Sequence, residues 1–226
     1  MSTKTLRVID CGKLDYLQAF DFQRDLQQKI SRELCPDTLL LLEHPNVYTV
    51  GRSESASHIL LPKEQLEKLG AQVIETNRGG KVTYHGPGQI VGYTLFDLRR
   101  YGRDVPGFVE NIEEAIIQTL SVYGIHGGRN PEYTGVWVGD NKICAIGIAI
   151  SRWVTMHGFA LNVNTDLSYF RHINPCGITD KGVTSMELEL GMRIEMTEVQ
   201  DLLREKFAQV FGFTEIEYQK GMSANG

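Results

Sequence analysis

Residues 135–163, GVWVGDNKICAIGIAISRWVTMHGFALNV, hold three β candidates in succession: Gly135 to Val138, Lys142 to Ser151 and Val154 to Val163. Gly139-Asp140-Asn141 between the first two is a tight hairpin signal, and it leaves Lys142 at the mouth of a strand. Strands that gather in hairpins as well as beside helices favour a mixed sheet over a doubly wound parallel one. The expected fold class is therefore α/β (α+β), a mixed β-sheet flanked by helices.

Working outward, Asp15 with Gln18 resembles a capping pair, and Tyr16, Phe20, Leu26, Ile30 and Leu34 support a helix running to about Leu34. Thr38 to Leu42 and Val47 to Val50 read as strands around the His44-Pro45-Asn46 turn. Pro62 opens a short helix that Gly70 closes, and a strand follows at Gln72 to Glu75. Gln89 to Leu98 is a further strand candidate. Phe108, Ile112, Ala115, Ile116, Leu120 and Tyr123 share one helical face, with Gly124 ending that helix. Thr197 with Gln200 starts a last helix, whose apolar face carries Val199, Leu202, Leu203, Phe207, Val210 and Phe211.

Composition bounds what such a chain does. With 226 residues and 42% hydrophobic content it has ample material for a core, as one large domain or two small ones, and no run in it reads as a linker. Neither a signal-type apolar region nor a window of 18 apolar residues occurs, so a soluble, cytoplasmic protein without membrane association is expected. A net charge of −5 argues against a nucleic-acid binder. Arg99, Arg100 and Arg103 form the best local basic cluster, read equally well as a solvated loop or as a docking patch for an acidic partner.

The densest loop signal is Arg78-Gly79-Gly80-Lys81-Val82-Thr83-Tyr84-His85-Gly86-Pro87-Gly88-Gln89. Glycine permits close ligand approach that a Cβ would block, so this run reads as a binding segment or as an irregular connector between strands. Spacing excludes several chemistries: GxxxxGK[ST], GxGxxG, HExxH and GxSxG are all missing. The six histidines, His44, His58, His85, His126, His157 and His172, lack ligand spacing, so no metal and no cofactor are expected.

Four cysteines without a CxxC pair make disulfides and structural zinc unpromising. Cys144 lies in an apolar run, where cysteine behaves as a small buried hydrophobe. Cys176 differs, because Pro175 before it and Gly177 after it make a tight turn that could present the sulfur. A nucleophilic thiol must be ionised, and a shift of about two pKa units, roughly 2.7 kcal/mol, would make thiolate the major form. Lys142 is an attractive source of that shift, although by sequence alone an exposed hairpin lysine is the favoured reading.

Four blocks together, RGGKVTYHGPGQ (Arg78 to Gln89), KICAIG (Lys142 to Gly147), HGFALNVNTDL (His157 to Leu167) and NPCGI (Asn174 to Ile178), resemble the lipoyl(octanoyl) transferase family in nearly the whole chain and in the same order. The resemblance implies that residues 1–226 form a single catalytic domain with the fold shared by biotin and lipoate protein ligases. It also implies transfer of an octanoyl group from octanoyl-acyl carrier protein to the ε-amine of a lysine on lipoyl domains, those of the glycine cleavage H protein and of 2-oxo acid dehydrogenase subunits; separately, a monomer is expected. Carried over residue by residue, Cys176 matches the acyl-thioester nucleophile and Lys142 its dyad partner. Arg78, Gly79, Gly80, Lys81, Val82, Thr83, Tyr84 and His85 match a substrate-binding wall, as do Ala145, Ile146 and Gly147 and Gly158, Phe159 and Ala160. His85 and His157 are read either as acid/base groups or as satisfied structural ones.

An apolar tunnel would select chain length, since burying six or so methylenes at about 0.8 kcal/mol each is worth roughly 5 kcal/mol. Two alternatives stand beside this reading: an ATP-dependent lipoate ligase on the same fold, and a silent acyl-binding module. A ligase that forms an adenylate has no need of a nucleophilic thiol, so Pro175-Cys176-Gly177 separates the first pair. Cys176 and Lys142 together argue against the silent module.

Overall fold

The computed structural model describes residues 4–52, 59–173 and 181–221. Its main sheet starts at β1 (Thr5–Lys13), which runs through α1 (Tyr16–Ser31) into β2 (Asp37–Glu43), parallel to β1. Next to β2 lies β6 (Gln89–Leu95), then β10 (Val154–Asn162), β9 (Asn141–Ser151), β8 (Val136–Val138) and β7 (Gly128–Arg129), all antiparallel to their neighbours. On the far side β12 (Glu215–Lys220) pairs parallel with β1, and β11 (Gly182–Val183) pairs parallel with β9. The sheet is mixed, as the hairpin-rich sequence predicts.

One face of the sheet is covered by α1, whose stripe of Tyr16, Ala19, Gln23, Leu26 and Ile30 is buried. Asp15 caps it by accepting the Leu17 N–H at 2.9 Å. The other face carries α3 (Val105–Val122) and, after the short α4 (Met186–Leu190), α5 (Met196–Phe211); α3 and α5 bury Phe108, Ile112, Ile116, Leu203, Phe207 and Phe211. Glu113 is also buried, held by Arg129 at 3.1 Å. A second sheet of β4 (Gln72–Glu75), β3 (Val47–Val50) and β5 (Val82–His85) is packed with α2 (Lys63–Lys68) around its own core of Tyr48, Leu66, Tyr84 and Phe170. Among the described residues no helix is long and apolar enough to cross a membrane.

Several boundaries differ from the sequence reading for local reasons. Helix α1 stops at Ser31, leaving Leu34 outside it and exposed. Strand β6 stops at Leu95 because the buried Asp97 caps a 3-10 turn, Leu98–Tyr101, by accepting the Arg99 N–H. Helix α5 has Glu195 at its N-cap with no side-chain cap; the Thr197 hydroxyl donates to Glu195 Oε1 at 3.2 Å, so no Thr197–Gln200 capping pair forms. Strand β5 lies inside the glycine-rich segment, whose glycines mask its alternation.

Candidate active site

The β9–β10 hairpin forms the floor of the site. It turns through Arg152 and Trp153, both left-handed (φ 51° and 66°), so that Ser151 pairs with Val154. A two-residue turn with both φ positive matches the twist of the strands and fixes their register. His157 is also left-handed (φ 60°) and breaks the alternation of β10. It pairs with Ile148, which packs toward the α3–α5 side, yet its ring meets Phe20 of α1 at 5.9 Å and Tyr93 at 6.1 Å. Gln23 holds this conformation by accepting the His157 N–H at 2.8 Å.

The glycine-rich segment crosses the edge of this floor. The Gly79 N–H donates to the Ile148 carbonyl at 3.0 Å, and a Cβ on Gly147 would stand 3.0 Å from the Gly79 carbonyl oxygen. That close approach is the reason for a side-chain-free backbone on both strands of the contact. Arg78 is buried and anchors the segment to β3, donating from Nε and Nη2 to Thr49 Oγ1 at 3.1 and 2.9 Å. Beyond it β5 alternates: Thr83 and His85 face the site, while Tyr84 packs among Tyr48, Tyr169 and Phe170 and donates to Asn46.

Between floor and segment lies one pocket, lined from Lys142 through Ala145, Ile146, Gly147, Gly158, Phe159 and Ala160 to His157, and roofed by Arg78, Gly79, Gly80, Val82, Thr83 and His85. Lys142 donates from Nζ to the Thr134 carbonyl at 3.1 Å and lies over the Trp137 ring at 4.8 Å. Cys176 lies outside the described residues.

Hydrogen-bond partners assign the histidine tautomers. Gln89 Nε2 donates to the Tyr84 carbonyl and to Asn162 Oδ1, so its Oε1 accepts from His85 Nδ1 at 2.9 Å. His157 Nε2 donates to Asn77 Oδ1 at 2.7 Å. His44 donates from Nδ1 to the Leu14 carbonyl and accepts from the Tyr93 hydroxyl at 2.7 Å. Burial pushes all three pKa values down: His44 to about 4, His157 to about 3 with help from Arg78 and Arg52, and His85 well below its ordinary value with help from His44 and Arg78. These rings are neutral at physiological pH, which suits a hydrogen-bonding wall rather than a proton carrier. Burial also raises the pKa of Cys11, Cys35 and Cys144, keeping each a thiol.

The lipoyl protein ligase A/B catalytic domain model matches residues 15–208. An octanoyltransferase of Solibacter usitatus is 52% identical over 202 residues, covering 89% of this chain and 91% of the relative. Another, from Caldanaerobacter subterraneus subsp. tengcongensis, is 49% identical, covering 94% and 92%. The chain belongs to the octanoyltransferase family. Two solved structures share the fold of this octanoyltransferase-family chain. A bipartite lipoate protein ligase of Thermoplasma acidophilum matches with TM-score 0.69 at 17% identity, covering 99% of this chain and 88% of that one. A biotin protein ligase of Aquifex aeolicus matches with TM-score 0.52 at 11% identity, covering 91% and 69%. The mixed sheet flanked by helices is thus the lipoate and biotin ligase fold.

Among the described residues of this octanoyltransferase-family chain most sequence candidates meet at one pocket, and Tyr84 and Lys81 do not. Tyr84 faces the small sheet's core, because its neighbours Thr83 and His85 take the pocket-facing positions of β5. Lys81 lies along an adjoining groove. Three lining residues escaped the sequence reading: Tyr16, Val91 and Tyr93. Tyr16 and Tyr93 sit at positions that any core aromatic could occupy, so no sequence signal marks them. The arginine cluster is largely structural, since Arg99 pairs with buried Asp97 at 2.6 Å and Arg100 with buried Asp37 at 3.2 Å, while Arg103 lies over Trp153.

Proposed function

We propose that this chain, acting as a single catalytic domain, moves an octanoyl group from octanoyl-acyl carrier protein to the ε-amine of a lysine on lipoyl domains. Acceptors are the glycine cleavage H protein and 2-oxo acid dehydrogenase subunits. The observation that carries this reading is the narrow, largely apolar pocket that ends at Lys142 in a chain about half identical to octanoyltransferases. Its glycine-lined walls suit a thin acyl chain, and its neutral histidines and tyrosines suit an uncharged one.

In the first step the Cys176 thiolate attacks the donor thioester carbonyl, and the bond from carbon to the carrier's sulfur breaks. The carrier's sulfur leaves as a thiol by taking the proton of the Lys142 ammonium, which leaves Lys142 neutral for the second step. One thioester replaces another, so the acyl bond energy is retained and ATP is not consumed. In the second step a neutral lysine amine attacks the Cys176 thioester, an amide forms, and the Cys176 thiolate leaves. Lys142 receives the proton that the amine nitrogen sheds. Burial that keeps Cys11, Cys35 and Cys144 protonated supports assigning the nucleophile to Cys176. His85 and His157 shape the pocket and exclude water without changing charge.

Mass measurement tests the reading directly. Incubation with octanoyl-carrier protein, without ATP or acceptor, is expected to add one octanoyl group to the chain and none to Cys176→Ala. No adduct, an adduct that survives Cys176→Ala, or an absolute need for ATP would overturn it.

A further inference from the structure

Beyond Cys144 the outer edge of β9 loses its neighbour, because β8 pairs only with Asn141, Lys142 and Cys144. The two-residue hairpin sets which groups point outward: Ser151, Ala149, Gly147 and Ala145 exchange hydrogen bonds with β10, while Ile148 and Ile146 turn their N–H and C=O away from it. The Gly79 N–H bonded to the Ile148 carbonyl agrees with that parity. Between β8 and Gly79 stands Ile146, and among the described residues neither its N–H nor its C=O has a partner. This notch opens onto a groove walled by Val105, Pro106, Val109 and Tyr133, which shares Lys142, Ile146 and Gly147 with the acyl pocket.

We propose that the segment of the acceptor domain that bears the target lysine docks in this groove as an extended strand, exchanging one hydrogen-bonded pair with Ile146. The proposal rests on the octanoyl-transfer reading above. Reach selects this occupant over the donor. A lysine side chain extends only about 6 Å from its Cα, so the acceptor's main chain must lie beside Lys142, whereas a donor that offers its acyl group on a long prosthetic arm can stand well away. Pairing through main-chain groups supplies affinity without demanding a side-chain sequence, and apolar walls on α3 hold the flanking residues. One notch can then serve acceptors whose sequences differ around the lysine.

The test separates the two half-reactions. Val109 lines the groove and not the acyl pocket, so Val109→Trp fills the groove without touching the acyl site. It is expected to lower kcat/KM for unmodified H protein at least tenfold, while adduct formation from octanoyl-carrier protein and acyl transfer to hydroxylamine stay within twofold. In parallel, hydrogen exchange at the Ile146 amide of the otherwise unaltered Cys176→Ala chain is expected to slow at least tenfold with H protein bound and to stay unchanged with carrier protein. Undiminished H protein kinetics, equal loss in both half-reactions, or an unprotected Ile146 amide would overturn the docking mode. Should Val109→Trp fold poorly, the exchange experiment decides alone. Failure of the unaltered chain to form an adduct would instead sink the octanoyl-transfer reading, and Ile146 exchange with H protein would still report on docking.

Discussion

At one end of the pocket Lys142 lays its ammonium over Trp137 and donates to a backbone carbonyl; at the other, six residues along β9 and about 20 Å away, the strand faces a histidine that burial keeps neutral. The two ends differ in what surrounds them. Lys142 sits where β8 diverges and an open groove begins. His157 is enclosed by α1, Tyr93 and Asn77, and His85 by Tyr16, Gln89 and Thr49. The enclosed end is lined by apolar groups and neutral rings, with the Arg78 guanidinium over them bonded to Thr49 and Gly79, whereas the open end presents Lys142 to the groove.

The largest expected effect breaks the charged end. Lys142→Ala should slow adduct formation from octanoyl-carrier protein about 10³-fold, measured by single-turnover mass analysis, because general acid/base and electrostatic help of this kind is worth roughly 10²–10⁴. A loss under tenfold would remove Lys142 from the chemistry.

Acid challenges the neutral end. His44 and His157 have folded-state pKa values lowered to about 4 and about 3 from 6.5, and burial holds that of His85 well below its ordinary value. Below pH 6.5 the unfolded chain binds protons that the folded chain refuses. Stability is therefore full above pH 6.5 and falls as pH drops toward 4 and then 3, by up to about 1.4 kcal/mol per pH unit for each histidine. Urea denaturation at pH 7.5 and 5.5 should show the decline, and His157→Gln should flatten it. An unchanged midpoint across that range would mean these rings are charged or exposed.

A smaller effect sharpens the apolar depth. Ala160→Leu adds three carbons to the pocket and should shift preference from octanoyl toward hexanoyl donors by roughly tenfold, since each methylene is worth about 0.8 kcal/mol. Competition between the two donors would read this out, and an unaltered ratio would place the acyl tail elsewhere. The smallest expected effect concerns Arg103. Its stacking on Trp153 leaves it outside the pocket and groove, so Arg103→Glu should leave the salt dependence of donor kcat/KM unchanged. A slope lowered by about one would return this arginine to donor docking.

Much of this arrangement is legible in the chain. Periodicity locates α1, α3 and α5, and the Gly139-Asp140-Asn141 turn announces the β8–β9 hairpin that presents Lys142. Strand β5 is harder, because Gly79, Gly80 and Gly86 around it signal a loop while Val82, Thr83, Tyr84 and His85 alternate for only four residues. The Arg152-Trp153 turn carries neither Gly nor Asn, so local propensity conceals a geometry that strand pairing imposes.

By itself the sequence determined the family, the mixed α/β class and the residue types that an acyl-transfer site needs. These follow from local periodicity, turn chemistry and four ordered blocks. Only the tertiary structure decided which side chains share a space. It turned Tyr84 away and His85 inward through the two-residue period of β5, and it brought Tyr16 from α1 and Val91 and Tyr93 from β6 to the pocket. It swung the His157 ring across the sheet by a left-handed backbone that Gln23 holds, and left the outward N–H and C=O of Ile146 without a partner among the described residues. Those outcomes depend on strand register and on contacts between residues far apart in the chain, which no local pattern encodes.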